Sequence, residues 1–152
     1  MARKPIFMET TEISAAKTAG EITAKLIGFG AKSIAADYGA GGQVVAMRFI
    51  LPTRFGDRLF ELPVRTEAIF KILNGRRQGG YLQGQHREKD LAQAERVAWR
   101  QLLRWIEAQL GMVETGMAQA EEVFLPYLVS PGGQTFFQMF QEHGPKMLGA
   151  GS

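Results

Sequence analysis

Val44-Val45-Ala46-Met47-Arg48-Phe49-Ile50-Leu51, a turn at Pro52-Thr53-Arg54-Phe55-Gly56-Asp57, and then Arg58-Leu59-Phe60-Glu61-Leu62-Pro63-Val64 make up the stretch that decides the architecture. In the first run Val45, Met47, Phe49 and Leu51 alternate with smaller or more polar neighbours, the period-2 signature of a strand with one core face. The turn residues send the chain back, and Phe60, Leu62 and Val64 repeat the alternation. Pro63 lacks an amide donor, so the returning strand ends there or lies at an edge.

Upstream, Lys32 to Tyr38 places Ile34, Ala36 and Tyr38 on one side of a preceding strand, with Gly39-Ala40-Gly41-Gly42 as the connecting turn. Three consecutive strands joined by short turns predict an antiparallel meander. Before them, Thr10 to Ser14 offers N-cap residues, and Ile13, Ala16, Ile22, Leu26 and Ile27 recur at helical spacing up to Gly28-Phe29-Gly30. The glycines there close a helix and open a strand, the reverse of a dinucleotide fingerprint, and Ala31 stands where a phosphate loop needs glycine before Lys32.

Downstream, Thr66 to Leu73 reads as a short helix stopped by Asn74-Gly75, and residues 75–89, rich in Gly, Gln and Arg, read as a loop. Asp90 caps the longest helix, which runs to about Thr115 with Leu91, Ala94, Leu102, Trp105, Ile106, Met112 and Val113 in an apolar arc of roughly 120 degrees. Met117 to Leu125 forms a short helix ended by Pro126. After a hinge at Ser130-Pro131-Gly132-Gly133, Gln134 to Glu142 forms a small amphipathic helix. The fold class is therefore α+β: a three-stranded antiparallel meander packed on helices, in the order α-β-β-β-α-α with short C-terminal helices. The expected organisation is a flexible segment over 1–9, one domain over 10–129, and a hinge, short helix and disordered tail over 130–152.

Composition narrows the function classes. Hydrophobic residues make up 45% and charged residues 22%, with no cysteine, so disulfides, thiolate nucleophiles and the usual structural zinc sites are excluded. No apolar run approaches the roughly 20 residues of a membrane span, and the start lacks a signal core, which points to a cytoplasmic protein. His86 and His143 have no carboxylates at ligand spacing, and no nucleophile stands beside an acid pair such as Glu121 and Glu122. The expectation is a non-enzymatic protein with no cofactor, no metal and no membrane association.

Charge is unevenly placed. Residues 48–104 carry twelve basic and six acidic groups, whereas residues 105–152 carry one and five. On the long helix Arg96, Arg100 and Arg104 lie at about 160, 200 and 240 degrees from Ala98, opposite the apolar arc, as one outward stripe. Like charges at this spacing repel, and Arg96 and Arg100 have no acidic residue three or four positions away. Either a phosphate backbone neutralises them, or carboxylates elsewhere do, with Glu9, Glu61 and the acidic tail as candidates. The loop adds Arg76, Arg77, Arg87 and Lys89 with Tyr81 as a stacking ring, and the hairpin adds Arg48, Arg54 and Arg58 around Phe55 at its tip. Together these twelve residues form the candidate nucleic-acid surface, with single strands preferred since no helix-turn-helix or zinc finger is visible. Each group has a plainer reading as solvated surface. The tail residues Phe136, Phe137, Met139 and Phe140 are too apolar for a free end, so they dock on their own domain, on a second copy in a homo-oligomer, or on another protein.

The stretches Ala94 to Arg100, Trp105 to Leu110 and Val123 to Leu128, with Thr18 to Ile22 and Leu62 to Val64, resemble a family of small phage and prophage proteins, and mobile-element proteins more broadly, whose motifs carry no assignable chemistry. The resemblance spans about residues 10–140 and transfers no catalytic residue. It implies a setting in which small basic proteins handle nucleic acid during replication, recombination or defence evasion; the rival reading, from the broad surface of the long helix and the aromatic tail, is a module that binds a host or phage protein or builds a homo-oligomer.

Overall fold

The computed structural model describes residues 4–76 and 83–149. It has the expected α+β order: α1 Ala15–Gly28, β1 Ser33–Tyr38, β2 Val44–Thr53, β3 Gly56–Pro63, α2 Thr66–Gly75, α3 Gln83–Glu114, α4 Ala120–Val123, a 3-10 turn Leu125–Tyr127, and α5 Phe136–Met147. The chain divides into two compact units, each drawn from two stretches: Met1–Leu26 with Val64–Ala108, and Ile27–Pro63 with Gln109–Ser152.

The first unit is helical. The Ser14 hydroxyl accepts from the Lys17 amide at 3.1 Å and so caps α1. The buried face of α1 is Thr18, Ile22 and Leu26, at the i, i+4, i+8 spacing of one helical stripe. Ile69 and Phe70 of α2 and Ala94, Val97, Ala98, Trp99, Leu103 and Ile106 of α3 are buried as well. The long helix begins at Gln83, seven residues before the expected Asp90 cap, so the latter half of the expected loop is helix. Gly84 lies within it. One glycine costs about 1 kcal/mol in a helix interior, too little to stop a helix of this length.

The second unit is built on the sheet, in the order β1-β2-β3 with both pairings antiparallel. Met47, Phe49 and Leu51 of β2 and Phe60 and Leu62 of β3 are buried, as their alternation requires. The β2–β3 register sets Phe49 opposite Phe60, with ring centroids 5.7 Å apart and stacked, and Phe124 stands edge-on to Phe49 at the same distance. β1 departs from the expected alternation. Asp37 pairs with Ala46 and Tyr38 with Val44, so the extra residue of the irregularity is Val45 of β2, which is 40% exposed rather than on the expected core face; Ala36 and Tyr38 of β1 are exposed as well.

β3 is an edge strand ending at Pro63. Its outer side is partly covered: the Val129 amide donates to the Leu59 carbonyl at 2.9 Å, and Phe60 bridges to Leu128. The chain then turns at Gly133, whose φ of 87° suits glycine, and enters α5. A capping box starts that helix, with the Gln138 amide donating to Thr135 Oγ1 at 3.2 Å and the Thr135 amide to Gln138 Oε1 at 2.8 Å. α5 runs past Gly144-Pro145 to Met147, five residues beyond its expected end at Glu142.

Phe124 is fully buried and closes the aromatic cluster from outside the sheet. Phe124→Ala is expected to lower unfolding stability by about 3–5 kcal/mol. Chemical denaturation checks this through a lower midpoint at unchanged slope.

Candidate functional site

On α3 the four successive residues Val97, Ala98, Trp99 and Arg100 are all buried. A helix turn closed on every side has no solvent face, so the expected outward stripe does not exist at Arg100, which is 3% exposed. Its guanidinium is clasped bidentately by Glu21 of α1, Nη2 donating to Oε1 at 2.8 Å and Nη1 to Oε2 at 3.2 Å. The hydrogen bond from Arg100, with the guanidinium's positive charge, holds the Glu21 carboxyl below its ordinary pKa despite some desolvation. Arg104 donates to Glu107, three residues on, at 2.8 Å. Glu107 also lies 4.0 Å from Lys25.

The hairpin arginines are likewise occupied. Arg54 Nε donates to Glu121 Oε1 at 2.6 Å, and its guanidinium lies 5.6 Å from the Phe55 ring centre. That bond, aided by a backbone amide, lowers the pKa of Glu121. Arg48 stands 3.2 Å from Asp37. Arg58 is exposed with no ion pair among the described residues, and Phe55 is exposed at the tip. In the first unit Arg87 covers the Phe70 ring at 5.0 Å. Arg77 and Tyr81 lie outside the described residues.

Three expected cations do converge. Arg76, Lys89 and Arg96 line one open cleft of about 530 Å³ in the first unit, together with Glu9, Asp90 and Gln93. Arg76 pairs with Glu9 and donates to the Lys4 carbonyl. Arg96 donates through Nε, at 2.9 Å, and through Nη2 to Gln93 Oε1. Gln93 is itself anchored, its Nε2 donating to the Glu9 and Thr11 carbonyls at 2.8 and 3.0 Å. Lys89 is exposed without an ion pair among the described residues.

A second surface lies on α5. Phe136, Phe137 and Phe140 are 39%, 37% and 38% exposed, so they are only half covered by their own unit, and Met147 and Leu148 are 69% and 71% exposed. At 100 degrees per residue these five side chains occupy an arc of about 120 degrees. Met139 sits outside that arc and is half-buried. The Phe140 ring leans over Gly144, within 3.5 Å of where a side chain there would begin.

Sequence reasoning missed Glu21 and Gln93, and it named Glu121 only as half of an acid pair and part of the acidic tail, without its link to Arg54. Glu21 adjoins the buried α1 positions Thr18 and Ile22, a position from which an acid reaches a neighbouring helix, and that is the only signal it gave. Among the described residues no cluster of His, Asp and Glu is suited to hold a metal, and no helix is long and apolar enough to cross a membrane.

The Arg100–Glu21 pair has a distinctive pH signature. Because the folded Glu21 pKa is depressed, its contribution is complete above the ordinary carboxylate value of 4.5 and disappears as pH falls from there through the lowered folded value. Glu21→Gln is expected to destabilise the protein at neutral pH and to flatten that acid-side slope, read as denaturation midpoints against pH. Adding Arg100→Met is expected to recover stability by removing the unpaired buried charge.

Comparison with protein-family models, with curated proteins and with solved structures finds no match to this chain.

Proposed function

We propose that the protein is a protein-interaction module that lays the aromatic face of α5 into an apolar groove of a second protein. The observation that carries this reading is the row of half-exposed Phe136, Phe137 and Phe140 on a capped helix, continued by Met147 and Leu148. Apolar side chains gathered on one arc, rather than scattered, mark an interaction surface. The charged residues of α5, Glu142 and Lys146, fall outside the arc, so the face selects a partner by shape and apolarity, with charge confined to the rim.

Area favours a groove over a second copy. Twelve helical residues span about 18 Å, and one helix face is about 10 Å across, giving a footprint on the order of 200 Å². A standard interface needs roughly 800 Å² per partner. Two such ridges laid face to face leave their flanks wet, whereas a groove wraps the ridge and buries each aromatic anchor. Nucleic acid is a poor match for the same face, which carries no cation.

Two measurements test the proposal. Sedimentation of the purified protein is expected to give a monomer. A photo-crosslinking phenylalanine analogue at position 137, activated in the cells that express the chain, is expected to yield one discrete adduct with a different protein. Phe136→Ser with Phe140→Ser should abolish the adduct while circular dichroism stays unchanged. An adduct of doubled mass, or one that survives both substitutions, refutes this assignment.

A further inference from the structure

Arg96 is held in place without being neutralised. Its two donors meet the oxygen of a carboxamide, and that carboxamide is fixed by two backbone carbonyls, so the guanidinium is oriented while its full charge remains. The same helix shows the alternative four residues on, where Arg100 meets a carboxylate and its charge is cancelled. A guanidinium that only had to be stored would be served by the second arrangement. One that is positioned by a neutral partner and faces a cleft is poised for an external anion.

The cleft's own charges define that anion. Arg76 is offset by Glu9, whereas Lys89 and Arg96 form no ion pair among the described residues. Two positive charges therefore face the cleft. A volume of about 530 Å³ exceeds what a lone carboxylate fills and lies in the roughly 300–1,000 Å³ range of whole small-ligand sites. Lys89 and Arg96 stand at i and i+7, about 10 Å apart along one face of α3, a spacing that an extended chain can follow, while Gln93 between them is engaged in holding Arg96.

From this geometry we infer that the cleft binds the phosphodiester backbone of single-stranded nucleic acid, with Arg96 and Lys89 supplying the charge and Gln93 holding Arg96 in its bound orientation. A phosphodiester carries one negative charge and two free oxygens, which suits the guanidinium fork, and successive phosphates of one strand can meet Arg96 and Lys89 in turn. A flexible single strand can bend to enter a recess of about 530 Å³, whereas a duplex, stiff over about 150 base pairs, can only lie across its mouth. These residues are separate from the α5 surface, so either assignment stands if the other fails.

Fluorescence anisotropy with labelled oligothymidylate and oligouridylate of about 20 nucleotides tests the inference at 50 and 200 mM salt. Two neutralised phosphates on a single strand give a slope of about −1.4 in log affinity against log salt, a loss of about sevenfold over this interval. Lys89→Gln and Arg96→Gln should each reduce the slope by about 0.7 while leaving the melting temperature close to that of the parent; Lys89 is exposed, so its variant serves even if Arg96→Gln folds poorly. Equal affinity for the two oligomers means that phosphate alone is read, and tighter RNA binding adds a 2′-hydroxyl contact. Absence of salt-dependent binding, equal or tighter binding of a duplex, or affinity unchanged in both variants would overturn the inference.

Discussion

A guanidinium that cannot reach water must find its counter-charge inside the protein, and Arg100 shows what that requirement does to a fold. Its place in a fully enclosed turn of α3 obliges a carboxylate to lie alongside, and Glu21 brings α1 with it. The weaker Lys25–Glu107 contact lies further along both helices in the same direction, so two ion pairs tie α1 to α3. Most of the stabilisation of this unit comes from Ile22, Leu26, Trp99 and their neighbours, because desolvating an ion pair offsets much of its attraction. Arg100 Nε has no hydrogen-bond acceptor among the described residues, which reduces the pair's net contribution further. Its distinctive contribution is register: a slip of one residue along either helix would leave a charge buried and unpaired.

The three arginines spaced four apart on α3 meet three chemically different partners. Arg100 has a distant carboxylate in a buried setting, Arg104 a local one near the surface, and Arg96 a carboxamide beside a cleft. The second arrangement contributes little, since exposed pairs at i, i+3 are worth a few tenths of a kcal/mol. The third leaves a net charge where a ligand can meet it. Identical side chains on one helix therefore serve as registry, as surface decoration and, in our proposal, as ligand donor, according to the neighbour that the tertiary structure supplies.

That dependence explains which features were legible in the sequence. The sheet was, because strand alternation and burial are local: Met47, Phe49 and Leu51 announce a face, and Pro63 announces its end. The exposure of Val45 was not, because a register shift is a property of two strands and leaves no trace in one. The start of α3 was hidden by Gly79, Gly80 and Gly84, whose composition says loop although helix propagation overcomes one glycine. The fate of the arginines was least legible, since local rules reach three or four residues, whereas Glu21 lies 79 positions from Arg100 and Glu121 lies 67 from Arg54. Of the expected basic surface, Arg76, Lys89 and Arg96 converge because α2 ends and α3 begins around one cleft.

In the second unit a covered sheet edge and an uncovered helix face are two results of one path of the chain. The segment that pairs with the outer side of β3 at Leu59 and Phe60 is the segment that leads into α5, and the Phe136 amide donates back to the Leu128 carbonyl at 3.0 Å. Backbone hydrogen bonds on one side of Gly133 and a reciprocal cap on the other thus fix where α5 starts. A tail that became helical only on contact would lose about 1–2 kcal/mol of backbone entropy per ordered residue at that moment. Here the ordering belongs to folding, so the aromatic face is presented already formed, and its exposed rings can contribute to association without that offset.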